Sequence, residues 1–334
     1  MPKKKSLTLQ RVLVLLLAYI MLAVCGGVAA SVLFVPGVIG ANKAAKAVIP
    51  SLKVENVDFD VTSLPQKSTM YARDGSTVIA TFYNQNRIVV PLKKISKTMQ
   101  QAVVAREDRR FWTHAGVDVQ GVMRAFVQTY LVKGSQQGGS SLTQQYVKNV
   151  LLMQAIEDDD SIAQYHATED TIARKIREML ISVQMEKKYS KAEILQGYLN
   201  IAQFGNNLYG VETAAQRYFS VSAADLNVVQ SATIAAITKN PSLYDPLVEE
   251  NQKESENQRN IVLKLMLQEG YITQKQYTEA VNTPLKDTLK AQDVNVGCQD
   301  TGDYAYFCDF VVHRIQNSEE FGKTRAERNK LLQE

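Results

Sequence analysis

The chain has 334 residues, of which 45% are apolar and 22% charged, with 17 Gly and 8 Pro; such a composition buries a core and excludes collagen-like, low-complexity and intrinsically disordered classes. The net charge of +4 resides in Lys3, Lys4, Lys5 and Arg11, because the 34 other basic residues match the 34 acids, so no broad basic field points to nucleic acid. The length fits one large domain with appendages, or two domains.

Val12 to Val35 runs for 24 residues without a charge, and as a helix it would span roughly 36 Å, enough for a hydrocarbon core of about 30 Å. The basic cluster before it assigns residues 1–11 to a cytoplasmic tail, 12–35 to a transmembrane helix and the rest to the outer face. A cleavable signal peptide is the alternative, since Ala29, Ala30 and Ser31 follow an apolar stretch, but the run is long for one. Residues 36–66 mix Gly, Ala, Pro and short polar pieces and read as a stalk.

Residues 67–92 form a predicted β segment. Ser68 to Ala72 and Thr77 to Phe82 alternate around Asp74-Gly75, a hairpin-turn dipeptide, and Arg87 to Pro91 is a candidate third strand. From Lys93 onward helical periodicity dominates, so the body at 93–285 is predicted to be mainly α. Its signals include the capping box Ser190-x-x-Glu193 and a helix from Ile261 to Leu267 ended by Gly270. Cys298 and Cys308, in residues 286–334, are predicted to form a disulfide on the oxidising outer side; for a four-ligand zinc site only His313 is near.

Three segments carry chemistry. Glu107 and Asp108 stand at the end of a helix whose apolar positions include Met99, Ala102 and Val103, and Phe111 and Trp112 follow, able to line a partly dry cleft that favours a general base. Taken alone, Glu-Asp reads as a solvated helix end and His114 as a hydrogen-bonded structural residue. In Gly138-Gly139-Ser140-Ser141-Leu142-Thr143-Gln144-Gln145-Tyr146-Val147-Lys148-Asn149, the box Ser141-x-x-Gln144 starts a helix that puts Ser141, Gln145 and Lys148 on one face near its N-terminus, where anions are favoured. P-loop spacing is absent, and the plainer reading is a capped surface helix. Arg174, Lys175 and Glu178 share a helix with an apolar stripe of Ile172, Ile176, Met179 and Val183; alone they read as a surface salt bridge of about 0.3–0.5 kcal/mol. Lys239 lies where a helix ends at Pro241 and Pro246, and by itself says little.

In order and spacing these segments resemble the peptidoglycan glycosyltransferase domain of class A penicillin-binding proteins, glycosyltransferase family 51. The resemblance covers residues 93 to 285 and rests on E-D-x-x-F-x-x-H-x-G-x-D, G-G-S-x-x-T-Q-Q-x-x-K-N, R-K-x-x-E and S-K-x-x-I-L-x-x-Y-L-N. Ser141 replaces the family's usual Thr, and Gln196 its common Glu. The resemblance implies a lysozyme-like helical domain, partly sunk in the outer membrane face, that polymerises lipid II into glycan strands. It implies Glu107 as general base and Glu178 as a second catalytic carboxylate that orients cations or holds a divalent ion, Mg or Mn. Asp108, His114, Ser141, Gln145, Lys148, Asn149, Arg174, Lys175 and Lys239 become the substrate-binding set, with Asp108 and His114 holding the Glu107 segment. The partners implied are lipid II, the growing strand, membrane lipid and cell-wall synthesis or division proteins.

A penicillin-sensitive transpeptidase would carry S-x-x-K and K-T-G; neither occurs, and Lys323-Thr324 is followed by Arg325. Residues 286–334 resemble the linker that precedes that domain in actinobacterial members, so the sequence reads as a chain cut just before it. Two rival readings are a muramidase or lytic transglycosylase, which cuts glycan and needs no cation cluster, and an inactive membrane-anchored scaffold.

Overall fold

A computed structural model describes residues 64–126, 139–292, 296–299 and 301–333. The predicted tail, the span at 12–35, nearly all of the stalk and Gly138 lie outside the described residues. Among the described residues no helix is long and apolar enough to cross a membrane. Asn56–Asp170 and Arg174–Glu334 fall in one compact unit, and its described residues are mainly helical with two small sheets.

The first sheet is the predicted hairpin, β1 (Ser68–Tyr71) against antiparallel β2 (Val78–Phe82), with a bulge between Met70 and Tyr71. Its turn forms because Asp74 Oδ1 accepts the backbone N–H groups of Ser76 and Thr77, both at 2.9 Å, an Asx device that fixes the chain locally. The candidate third strand does not join it. Instead β3 (Asn86–Arg87) pairs in parallel with β5 (Leu208–Tyr209), whose other neighbour is β4 (Gln203–Gly205). The reason is Arg87. It is wholly buried, donating to the carbonyls of Asn200 at 3.1 Å and Pro65 at 2.9 Å and lying over the Tyr209 ring at 5.1 Å, so the strand anchors in the helical body.

That body centres on a helix buried all round, a pattern expected only for a core helix. α1 (Lys97–Glu107), α2 (Val119–Phe126), α3 (Leu142–Glu157), α4 (Ser161–Thr168), α5 (Ile172–Lys188), α6 (Lys191–Ile201) and α7 (Val211–Phe219) precede α8 (Val228–Ile237), in which every residue from Ser231 to Ile237 is buried. Its Ala232, Ala235 and Ala236 let α1 and α9 (Gln252–Gln268) approach closely. α9 starts earlier than the predicted Ile261, and it is Val262, Leu263 and Met266 that face inward while Ile261 is exposed. Gly270 ends it, with Gly270 N–H donating to the Leu267 carbonyl at 3.0 Å and Tyr271 N–H to that of Met266 at 2.9 Å, the two bonds of a Schellman motif.

After α10 (Gln274–Val281) and α11 (Leu285–Thr288), Val296 bridges to Thr81 of β2. Cys298 and Cys308 are disulfide-bonded, with Cα atoms 5.4 Å apart, and the bridge packs on Ile79 and Ala80. The segment before α12 (Ala305–Asn317) and α13 (Arg325–Gln333) is therefore tied to the N-terminal hairpin.

Candidate active site

Glu107 closes α1, which is capped by Ser96 accepting from Met99 N–H and buries Met99, Ala102, Val103 and Val104. The half-buried carboxylate is held from two sides. Gln145 Nε2 on α3 donates to Oε2 at 2.8 Å, and the Thr238 hydroxyl, just beyond α8, lies 2.8 Å from Oε1. Behind them, the Tyr198 hydroxyl on α6 is 3.2 Å from Gln145 Oε1. Burial, with Glu107's charge adding to it, pushes the Tyr198 phenol well above its ordinary range. Tyr198 thus stays a donor, fixing the Gln145 amide with its nitrogen toward Glu107.

Asp108 turns the other way. Its Oδ2 meets His114 Nε2 at 2.8 Å and accepts Leu142 N–H at 2.9 Å, a carboxylate set on the first turn of α3 where the helix dipole favours it. Lys191 Nζ stands 3.4 Å from His114 Nδ1 and 2.7 Å from Glu186. Both Asp108 and the His114 side chain are buried, so they hold the loop.

Phe111 is likewise core, meeting Trp112 and His114 edge to face with Lys191 above it at 4.6 Å, and Trp112 is exposed. The two rings do not form a common cleft wall: Phe111 sits on the His114 side of the segment. Ser141 also serves the loop. Its buried hydroxyl donates to the Gly116 carbonyl at 2.6 Å and accepts Gln144 N–H in the expected capping box. Gly116 has φ +86, and a Cβ there would lie 2.6 Å from the Ser182 carbonyl oxygen on α5. Gly116→Ala is therefore expected to cost about 1–3 kcal/mol, read as a lower midpoint in denaturant unfolding followed by circular dichroism.

The cations gather one turn along α3. Lys148 follows Gln145 by three residues, hence on the same face. Burial lowers its ammonium pKa, then the charges of Arg174 and Lys175 lower it further, while Glu178 opposes them. Arg174 bonds Glu178 Oε1, and Lys175 Nζ lies 2.9 Å from Oε2 and 3.0 Å from the Ser140 hydroxyl. The buried line of α5 is Arg174, Glu178, Ile181, Ser182 and Met185. This overturns the expected apolar stripe: Ile172 is 79% exposed, whereas Arg174 and Glu178 are 7% and 2% exposed. The pair is no surface salt bridge.

Glu107, Gln145, Lys148, Arg174, Lys175 and Glu178 are thus joined through α3. Asn149 is half-buried beyond Lys148. Lys239 is exposed and acts on Glu254 of α9; it does not figure among the charges acting on Lys148. Gln196 Oε1 accepts Leu92 N–H at 2.8 Å, a supporting contact that a Glu would also make. Thr238 and Tyr198 were not singled out in the sequence. Tyr198 stands in the S-K-x-x-I-L-x-x-Y-L-N segment, but nothing local marks Thr238. Among the described residues, no three His, Cys, Asp or Glu side chains gather as metal ligands.

The chain is similar to known proteins. A family model described as Transglycosylase matches residues 75–267. Penicillin-binding protein 4 of Bacillus subtilis is 38% identical over 272 residues, covering 80% of this chain and 40% of that protein. Penicillin-binding protein 1A of Aquifex aeolicus is 39% identical over 229 residues, 69% of this chain and 29% of that one. The chain therefore spans less than half the length of these relatives. A crystal structure of penicillin-binding protein 1A from Haemophilus influenzae aligns over 77% of the chain at 24% identity and TM-score 0.41.

Proposed function

We propose, for a chain that belongs to the transglycosylase family and shares its peptidoglycan glycosyltransferase activity in general terms, that it polymerises lipid II into glycan strands on a lysozyme-like helical domain. The observation that carries this reading is α3 itself, which presents Gln145 to the Glu107 carboxylate and, one turn on, Lys148 to the Arg174–Lys175–Glu178 group.

The reaction needs a base and a charge sink. The acceptor sugar's 4-hydroxyl loses its proton to Glu107 as its oxygen bonds to the donor's anomeric carbon; the bond to the lipid pyrophosphate breaks, and that group leaves with the electron pair. Lys148, Arg174 and Lys175, three cations beside the two carboxylates Glu178 and Asp170, offset the charge growing on the leaving group. Attack opposite the leaving group inverts the anomeric carbon. Glu178 orients cations in this scheme. Both its oxygens accept from Arg174 and Lys175, so Glu178 does not fit as ligand to a resident metal, and Mg or Mn would enter only as companion of the pyrophosphate. The span at 12–35 would hold the domain at the outer membrane face, and the exposed Val119 and Met123 of α2 fit contact with lipid there. Partners in cell-wall synthesis or division would join it on that side.

The test is incubation with labelled lipid II and a divalent cation. Polymer supports the reading, shortened glycan favours a lytic enzyme, and unchanged substrate favours a scaffold. A second expectation concerns pH. Lys148 loses its proton below the ordinary lysine range, so the cation cluster weakens early as pH rises. Lys148→Arg, charged throughout, is expected to keep activity while the alkaline limb of the kcat/KM profile moves upward, as measured by initial polymerisation rates.

A further inference from the structure

We infer that Thr238 is a positioning residue for the Glu107 carboxylate, acting as a hydroxyl that turns between that carboxylate and the Ala235 carbonyl as the proton is taken up. The inference rests on the reading of Glu107 as general base. The Thr238 hydroxyl has one hydrogen and three groups within reach: Glu107 Oε1 at 2.8 Å, the Ala235 carbonyl of α8 at 2.9 Å, and the Tyr198 hydroxyl, whose own hydrogen is engaged by Gln145 Oε1. A charged acceptor makes the stronger bond, so the hydrogen points to Glu107 while the carboxylate is ionised. Once Glu107 has accepted the substrate's proton, that preference disappears. The hydroxyl turns to Ala235, and its oxygen is free to accept from the new carboxylic acid.

Gln145 cannot make this exchange. Its amide oxygen receives the Tyr198 hydroxyl and its nitrogen faces Glu107, so it only donates to the carboxylate. Thr238 is therefore the partner that matches Glu107 both before and after proton transfer, donating to the carboxylate and accepting from the carboxylic acid. An aliphatic side chain there would keep the shape and lose the bond.

The experiment compares Thr238→Val, Thr238→Ser and Glu107→Gln, each in the full chain, by initial rates of lipid II polymerisation across pH. Thr238→Val is expected to lower kcat by roughly 10- to 100-fold, the loss of one hydrogen bond to a charged group. KM should stay unchanged, and the acid limb of the kcat profile should move to higher pH, since the ionised carboxylate has lost a donor. Thr238→Ser keeps the hydroxyl and should remain within a few-fold of the parent. A Thr238→Val enzyme with normal kcat and an unmoved acid limb overturns the inference, and so does a Ser variant that fails as badly as Val, or a change confined to KM. Glu107→Gln separates the two claims: inactivity there beside a normal Thr238→Val defeats only the role of Thr238, whereas normal turnover defeats the base assignment on which it rests.

Discussion

Glu107→Gln is expected to lower the rate of polymer formation by roughly 10²- to 10⁴-fold, the range that a positioned general base contributes, while the protein unfolds at an unchanged denaturant midpoint. The site explains why the fold should survive. In the parent, Oε1 and Oε2 receive Thr238 and Gln145. A glutamine has one oxygen and one nitrogen. Its oxygen can take the Gln145 donor, which Tyr198 holds in a single orientation. Its nitrogen then faces Thr238, whose hydroxyl turns to the Ala235 carbonyl 2.9 Å away and accepts. Both contacts of the parent carboxylate are kept, yet nothing remains to take the acceptor's proton. Circular dichroism melts and lipid II turnover measured together check both halves. Normal turnover would remove Glu107 as base, and a collapsed melt would mean that the carboxylate's charge is needed for folding.

The parts of this site legible in the sequence are those fixed by local spacing. Capping boxes at Ser141/Gln144 and Ser190/Glu193 involve partners three residues apart, and both form as read. The hairpin at Asp74-Gly75 is equally local. What failed depended on distant closure. β3 pairs with a strand more than a hundred residues further along, and no alternation around Arg87 encodes that choice. Thr238 meets Glu107 only because α1 and α8 pack together. The stripe on α5 misled for a chemical reason: periodicity assigns the apolar side to the interior, but here a charged group is buried and Ile172 is left outside. The motif order named the residues of that group, and only the structure shows that Arg174 and Glu178 are removed from water.

That burial decides the size of the second large effect, expected for Glu178→Ala. On the surface an i, i+4 pair contributes about 0.3–0.5 kcal/mol; a buried pair broken by removing one partner costs about 3–5 kcal/mol, because the other charge is stranded. Glu178 and Arg174 belong to the second case, with side chains 2% and 8% exposed. Without Glu178, the charges of Arg174 and Lys175 both bear on Lys148, and the opposing carboxylate that remains is Asp170, whose side chain is fully exposed to solvent. The variant should unfold at a clearly lower denaturant midpoint and polymerise lipid II poorly, since cations that repel one another no longer hold a fixed geometry around the leaving group. Inorganic pyrophosphate should raise its midpoint more than that of the parent, because the added anion replaces the missing one by binding only the folded state. Arg174→Ala provides the contrast: Glu178 keeps Lys175 at 2.9 Å, so pyrophosphate should stabilise it less than Glu178→Ala. Equal midpoints for parent and Glu178→Ala, with or without pyrophosphate, would mean that solvent already screens the pair and that no cation cluster waits there for a diphosphate.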